Sequence, residues 1–443
     1  MADDQQERPL GLICGQSRPA PPALARVPPG AMEGAAMTPC RGPVAFAKTP
    51  FGTLLVFLWF ALLGCGSGGT PELVSDVSSL TVAQESASIH ESKWSDSSDG
   101  DIPVLKHADC GPQVTRRGNA LVVAPSGGDD TAALQCAIDH VATGTVRLNA
   151  GTFHLGQIIA GDFKGRIVGA GSEKTTLENR GQLAVAPTDW YLAPNSPSNP
   201  WPTLLGFTDG DFKLSDFAIS IRGEEATTGW SAFGISTTTL AHAISITGGK
   251  AAATIERIRV QGEPAPAEFV GLNLLNAIDA EGIGGSDPKP LSLRLEVRDC
   301  SFTQLVSGIP VSNVRDADVT ITESHFSTLL AGELVDFENS RYRFVANEAS
   351  TVWATIDLYD VALGPSSVLG FNKTSILIAG NRIAGGPIIL EGTFNADMHC
   401  ALVGNKFANT GGLDVYLGSG IHDCLVVGTP NVIDDGTNNH IVP

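Results

Sequence analysis

The sequence predicts an all-β fold: a single parallel β-helix whose coils stack on one another, closed at its N-terminal end by a short capping α-helix. Three observations predict it. The segments Val297–Phe302, Ile321–Phe326, Ile378–Ile383 and Leu402–Phe407 share one pattern, an apolar residue, three mixed or small polar residues, an exposed residue and a second apolar residue. The step from 297 to 321 equals the step from 378 to 402, two dozen residues, enough chain for three short strands and three turns in one coil. Finally, 50 Gly and only 6% aromatic residues favour short strands and turns over a helical bundle.

The elements follow in chain order. The apolar run Phe51–Gly64, reading FGTLLVFLWFALLG, is short. At ~1.5 Å per residue it does not comfortably cross a ~30 Å hydrocarbon core. Arg41 and Lys48 precede it and Gly64, Cys65, Gly66 and Ser67 follow, which is the grammar of a signal peptide. The stretch Leu62-Leu63-Gly64-Cys65 resembles a bacterial lipobox. That resemblance implies lipidation of Cys65, which becomes the first mature residue and tethers the protein to a membrane; each buried methylene of an acyl chain contributes ~0.8 kcal/mol. No Asp follows Cys65. This resembles the outer-membrane sorting pattern, so the expected location is extracytoplasmic, lipid-anchored to a bacterial membrane, at the outer membrane or cell surface. Residues 1–64 are thus read as a lipoprotein signal peptide with an overlong N-terminus, since Met37 would give a conventional start. Residues 65–103 read as a flexible tether: Gly66–Gly100 holds ten serines and no sustained apolar period. Residues 104–443 are the β-helix domain.

Within that domain the turn Ser126-Gly127-Gly128 leads to Asp129 or Asp130 as helix cap, and Leu134, Ala137, Ile138 and Val141 fall on one helical face that ends at Gly144. Strands are expected at 145–148, 151–155, 157–159 and 166–168. A helix laid over the first coil covers its open backbone edge and core. Phe344–Ala349 is a degenerate copy of the repeat and Val427–Val432 a last one, while Leu214–Ile219 and Ile255–Val260 continue it upstream at wider intervals that accommodate loops. Ser324, Asn347, Asn381 and Asn405 occupy one turn position, predicting a hydrogen-bonded ladder. Val311, Val335, Ile389 and Val415, each shortly after a glycine, are expected to form an inward column in a second strand.

Export permits disulfides. Of the five cysteines beyond Cys65, Cys110 and Cys136 are the expected bridge, with reduced buried cysteines as the alternative; Cys400 and Cys424, one repeat apart, are expected as stacked free thiols. The net charge of −19, and the absence of Lys and Arg clusters, exclude a nucleic-acid partner. Removing the leader, with its one net positive charge, leaves −20. Such a surface disfavours polyanionic glycans unless a divalent cation such as Ca2+ bridges the two, whereas neutral glycans meet no barrier. Beyond that Ca2+ the sequence names no cofactor, and the single winding domain is read as a monomer.

The stretch from Pro125 through Gly127-Gly128-Asp129-Asp130-Thr131-Ala132-Ala133-Leu134-Gln135 to Asp139, then Val146–Phe153 and Ile167–Gly171, resembles the opening of pectate-lyase-like right-handed parallel β-helix proteins. With the repeats, the resemblance covers roughly residues 118–435. It implies right-handed winding and polysaccharides as the commonest ligands, and no particular activity. The superfamily's catalytic phrases are mostly missing. Asp129-Asp130 belongs to the helix cap and Asp434-Asp435 to the tail, Gly-His-Gly and Trp-Ile-Asp-His are absent, and Arg257-Ile258-Arg259 is only a partial echo of Arg-Ile-Lys.

Glycosidases need two carboxyl groups about 5–9.5 Å apart, and lyases a base beside a cation or Arg. Asp336 and Glu338 are the catalytic candidates, outward if Val335 and Phe337 point inward, with Arg341 and then Arg343 to supply positive charge. Trp353 with Asp357, Tyr359 and Asp360 is the candidate sugar-binding cluster, and Asp316 and Asp318 beside Arg315 form a third group. The Pro-rich loop 186–202 offers Trp190, Tyr191 and Trp201 as a substrate-binding wall. Each carboxylate group is also readable as a solvated strand face, and the loop rings as packing over the helix side. His325 and His399 read equally as exposed coil residues or as general bases. His399, Cys400, His422 and Cys424 lack zinc's ligand spacing, so no metal site is assigned. The expected function is binding, and in the catalytic case cleavage, of a polysaccharide by a lyase- or glycosidase-like reaction. The alternative is a noncatalytic envelope or adhesion scaffold.

Overall fold

The structure, a computed structural model, describes residues 105–106, 108–141, 143–180, 202–222, 230–232, 235–237, 240–262, 274–282, 289–359, 373–391, 398–408 and 412–443. All lie in the unit Trp94–Pro443. The leader, Cys65, the tether and the loop bearing Trp190, Tyr191 and Trp201 fall outside the described residues. Among the described residues no helix is long and apolar enough to cross a membrane.

The chain winds as a right-handed parallel β-helix. One coil shows the rule: Ser292–Arg298 lies in a first sheet, Ser301–Thr303 in a second and Ser307–Arg315 in a third. The chain then returns to the first sheet as Asp318–Thr322, in parallel register with Ser292–Arg298. Right-handed return is the sense that twisted parallel strands favour. Alternation within each strand sends every second residue inward, and the inward residues of successive coils stack. In the first sheet Val297, Ile321, Phe344, Ile378, Leu402 and Val426 are register partners in turn, all buried. In the second sheet Phe302 stacks on Phe326, ring centres 5.0 Å apart, and Phe326 also meets Phe344 at 5.5 Å. Each coil thus buries what its neighbour leaves open.

The expected second-strand column is misregistered. Val311 pairs with Leu334, then Leu358, Leu390 and Leu417, while Val335 pairs with outward Ser312 and Ile389 with outward Asp357. Val415 is inward but belongs to the neighbouring column of Ile309, Gly332, Ile356 and Ile388. For Val335 the cause is a coil one residue shorter than the repeat, as in the 23 residues from Val311 to Leu334, and for Ile389 and Val415 it is later coils of unequal length. Because strand side chains alternate, one residue of slip exchanges the faces.

The turn ladder forms as expected, buried throughout. The backbone N–H of Ser324 donates to Asn347 Oδ1 at 2.9 Å, that of Asn347 to Asn381 Oδ1 at 2.8 Å, and that of Asn381 to Asn405 Oδ1 at 3.1 Å. Each amide also donates back to a backbone carbonyl, Asn347 to Ile321, Asn381 to Phe344 and Asn405 to Ile378. At a different turn, the one that leads into the first sheet, Asn439 makes a similar contact, accepting from the Cys424 N–H at 2.9 Å.

The capping helix, α1, spans Thr131–Val141. Asp130 is its N-cap, its carbonyl accepting from the Leu134 N–H at 3.0 Å, and Asp129 holds the Thr131 N–H at 2.9 Å. The buried Asp130 carboxylate accepts from the backbone N–H groups of Ser126 and His154. Gln135 meets the free edge of the third sheet's first strand, taking the Ile159 N–H at 3.0 Å and donating to its carbonyl at 2.8 Å. Thr131 Oγ1 does the same for the Gly156 N–H in the first coil. The helix therefore supplies polar groups in place of a missing coil, as well as apolar cover from Leu134, Ala137 and Ile138.

Cys110 and Cys136 form the expected disulfide, Cα atoms 5.4 Å apart. Cys400 and Cys424 are also bridged, correcting the expectation of free thiols; their Cα atoms are 4.6 Å apart. Cys424 precedes the strand Leu425–Val427, so one partner stands in a turn, where the backbone adapts to disulfide geometry more freely than inside a ladder. Cys300 is free and buried, and burial pushes its thiol up to about 12.

Candidate functional site on the third sheet

Passages from the first sheet to the second are short, as at Arg298 to Ser301, Thr322 to His325 and Val345 to Glu348. The long connections, residues 180–202, 222–239, 263–273 and 360–373, each meet a strand of the third sheet at one end. A solenoid face bordered by its longest connections is where binding chemistry concentrates.

The outward residues of that sheet carry a row of acids. Through the register Ser245, Asp279, Pro310, Glu333, Asp357, Ile389 and Tyr416 follow one another on successive coils. Glu281 lies two residues beyond Asp279, and Glu391 two beyond Ile389. Glu333 sits between inward Gly332 and Leu334, and Asp357 between inward Ile356 and Leu358. As direct register partners these two are ~4.8 Å apart along the coil axis. Pro310 intervenes between Asp279 and Glu333, which puts those two carboxyls ~10 Å apart.

The surroundings of Asp279, Glu281, Asp357 and Glu391 favour their protonated forms. Burial, reinforced by the charges of Glu333 and Glu391, pushes Asp357 up to about 7. Burial and then Glu333 raise Asp279, against one hydrogen bond from Asn276; burial and then Asp279 raise Glu281; burial alone raises Glu391. His242 stands at the same end of the row, its Nε2 3.7 Å from Asp279 Oδ2 and its Nδ1 3.1 Å from Asn276 Nδ2. Burial drives His242 down to about 3, so it is neutral at physiological pH and gives Asp279 no countercharge. Elsewhere the protein treats a buried acid differently. Burial pushes Glu256 upward, but Lys213 at 2.7 Å and Arg257 and Arg298 at 3.1 Å outweigh it and hold the carboxyl low. None of Asp279, Glu281, Asp357 or Glu391 forms an ion pair with a Lys or Arg among the described residues.

A pH effect on stability follows. Asp357 keeps a proton in the native state up to about 7, whereas the unfolded carboxyl releases it near ~3.9. The native state is therefore favoured below ~4 and loses this contribution as pH rises towards 7. Asp279, Glu281 and Glu391 act in the same direction. The opposite contributions of Asp216 and Glu256, held low by basic partners, fall off only at more acidic pH. The melting temperature should be higher at pH 5 than at pH 8, with Asp357→Asn flattening the difference. A melting temperature that rises over that interval contradicts burial-driven protonation.

The residues singled out from the sequence are placed as follows. Asp336 is buried, not outward: at φ 52° it breaks the strand alternation, so it and Phe337 are both covered. Glu338 is half-buried and bound to Arg315 Nε at 2.5 Å. Arg341 is exposed, 4.0 Å from Asp318, and Arg343 binds Asp318 at 2.6 Å. Glu338 and Arg341 are thus each paired with another residue, Arg315 and Asp318, while Asp336 is covered. Asp316 accepts from Asn339. Trp353 is exposed, at 44%, four residues before Asp357 in the strand Glu348–Tyr359. Tyr359 ends that strand, its side chain outside the described residues, as is Asp360. His325 is exposed, 3.7 Å from Glu348. The sequence reading misses Glu333, Asp279, Glu281 and Glu391, although Glu333 and Asp357 are separated by the period of the repeat itself.

No protein-family model and no curated protein matches the sequence. Among solved structures, the chain is similar to the tailspike protein gp49 of Acinetobacter baumannii bacteriophage Fri1, a capsular polysaccharide depolymerase, at 12% identity and TM-score 0.34, over 74% of this chain and 58% of that one. It is also similar to the A-module of the Azotobacter vinelandii mannuronan C-5 epimerase AlgE6, at 13% identity and TM-score 0.27, over 71% of this chain and 96% of that one. A third is the catalytic unit of a GH87 alpha-1,3-glucanase from Streptomyces thermodiastaticus, at 13% identity and TM-score 0.25, over 74% and 70%. The chain spans little more than half the length of the tailspike. The parallel β-helix is established by the strand pairing of the chain itself.

Proposed function

We propose that this protein binds a polysaccharide along the outer face of the third sheet and hydrolyses it with Glu333 and Asp357, held outside the cytoplasm by a lipid on Cys65. The observation that carries the reading is the pair itself: two outward carboxyls on adjacent coils, one of them retaining its proton near neutrality. A coil spacing of ~4.8 Å suits the ~5–5.5 Å separation of a retaining glycosidase better than the wider inverting one. Asp357 is then the acid that protonates the departing glycosidic oxygen, and Glu333 the carboxylate that meets the anomeric carbon. Trp353 supplies a ring face for a sugar on the same strand. Hydrolysis is favoured over elimination because proton donation to a leaving oxygen is what a carboxyl protonated near neutrality does best, whereas a lyase needs a cation at the developing enolate.

The test is a panel of neutral and acidic glycans, with Ca2+ and with chelator, scored for new reducing ends. Reducing ends from a neutral glycan support the reading. Binding without products on every glycan favours a noncatalytic adhesion scaffold, and neither binding nor products removes the polysaccharide reading altogether. The anchor has its own test. Cys65→Ser should move the protein from the detergent phase to the aqueous phase and abolish labelling by radioactive palmitate, since two or more acyl chains are needed for durable attachment; unchanged partitioning rejects lipidation at this cysteine.

A further inference from the structure

The disulfide that ties α1 to the segment before it has a histidine beside it. His140 Nδ1 lies 3.5 Å from Cys136 Sγ and 3.9 Å from Cys110 Sγ. Cys136 and His140 are one helical turn apart on α1, so the helix itself fixes their spacing. Cys110 comes from the short helical turn Ala108–Cys110 packed against α1. The three ligand atoms lie within 4.8 Å of one another. Nothing in the polysaccharide reading uses them.

These distances are those of a metal site with one bond too many. Around a tetrahedral zinc, with Zn–S ~2.3 Å and Zn–N ~2.0–2.1 Å, a sulfur and a nitrogen are about 3.5 Å apart and two sulfurs about 3.8 Å. The two sulfur–nitrogen distances already approach that value. Only the sulfurs, joined in the disulfide, must separate, by roughly 2 Å. We propose that Cys110, Cys136 and His140 form a redox-gated site for a thiophilic divalent cation of the zinc type, absent in the disulfide form and created by reduction.

The chemistry balances with a phosphine as reductant. The phosphorus supplies two electrons and leaves as its oxide with the oxygen of a water molecule, and each sulfur becomes a thiol. Binding the cation then releases both thiol protons, because thiolates are the ligands. His140 gives up the 2.8 Å contact of its Nδ1 with the Cys136 carbonyl and presents the Nδ1 lone pair to the metal. His140 is exposed, so the fourth coordination position opens to solvent. The clamp between α1 and the preceding segment is thereby kept in reducing surroundings, by a metal in place of a covalent bond.

The test uses the full chain reduced by a water-soluble trialkylphosphine and titrated without oxygen with Co2+, then Zn2+. One equivalent of Co2+ should produce thiolate-to-cobalt charge-transfer and tetrahedral visible bands, which Zn2+ abolishes; the unreduced protein should show neither. Cys136→Ser should abolish the bands. His140→Gln, a change at an exposed position whose retained fold is checked by an unchanged circular dichroism spectrum, should weaken Co2+ binding at least tenfold. The double variant Cys400→Ser, Cys424→Ser should bind like the parent, which separates this site from the second disulfide. Absent bands in the reduced parent, bands that survive Cys136→Ser, or a titration unaltered by His140→Gln would each overturn the proposal.

Discussion

Asp357→Asn is expected to lower turnover on the cleaved glycan by about 10²–10⁴-fold, the usual contribution of a positioned general acid. The amide keeps the size of the carboxyl but cannot donate a proton to a departing oxygen. Binding should be nearly unchanged, so the loss falls on kcat and not on KM. Glu333→Gln should cost at least as much, because a nucleophile has no substitute in solution, and the double variant should lose little beyond the worse single one, as groups acting as a unit are non-additive. The pH profile gives a second measure. Activity that needs a protonated Asp357 should fall on the alkaline side with an apparent pKa near 7, and substrates with better leaving groups should need the acid less. Asp336→Asn is the informative control: Asp336 is buried at a left-handed backbone position, and its substitution should change stability more than kcat. If Asp357→Asn keeps more than a tenth of parental turnover, the assignment of the acid fails while the glycan-binding face can still stand.

The winding of the chain is legible in the sequence because a solenoid repeats its chemistry at fixed intervals. Four hexapeptides and the column Ser324, Asn347, Asn381 and Asn405 are enough to establish coils, and the helix cap is readable from Asp129-Asp130 ahead of Leu134, Ala137 and Ile138. Register is not legible in the same way. Alignment of the inward column on glycines misses a single coil one residue short, which moves Val335 to the outside. The same slip hides the candidate site. With Val335 counted as inward, Glu333 is counted inward with it and Asp336 becomes an outward acid; in the structure Glu333 faces out between Gly332 and Leu334, and Asp336 is covered. Asp279 and Glu281 are hidden for another reason: the connections around them break the period, so no repeat marks their strand. Proton retention at Asp357 is also beyond the sequence, since it depends on burial and on Glu391 from the next coil.

The second large effect concerns the ladder. Asn381→Leu should destabilise the domain by about 3–5 kcal/mol, although leucine is close to asparagine in size. Asn381 makes three hydrogen bonds away from water: its Oδ1 accepts from the Asn347 N–H at 2.8 Å, and its Nδ2 donates to the Phe344 carbonyl at 2.9 Å and to Asn405 Oδ1 at 2.8 Å. Removing them leaves the Asn347 N–H without that acceptor and takes one donor from each of two buried oxygens, at roughly 1–3 kcal/mol for each group left unsatisfied. Because each coil touches only its neighbours, the damage should be local. Hydrogen exchange should accelerate most in the coils between Arg341 and Phe407, with the helix cap and the first coils protected as before. Arg382→Gln, beside it but exposed, should cost within about 0.5 kcal/mol. Urea unfolding followed by circular dichroism gives the stability change, and exchange mass spectrometry gives its location. A loss below about 1 kcal/mol would mean that stacked apolar columns hold the coils together without the ladder; a loss spread evenly from α1 to the last strand would mean that the solenoid unfolds as one cooperative unit.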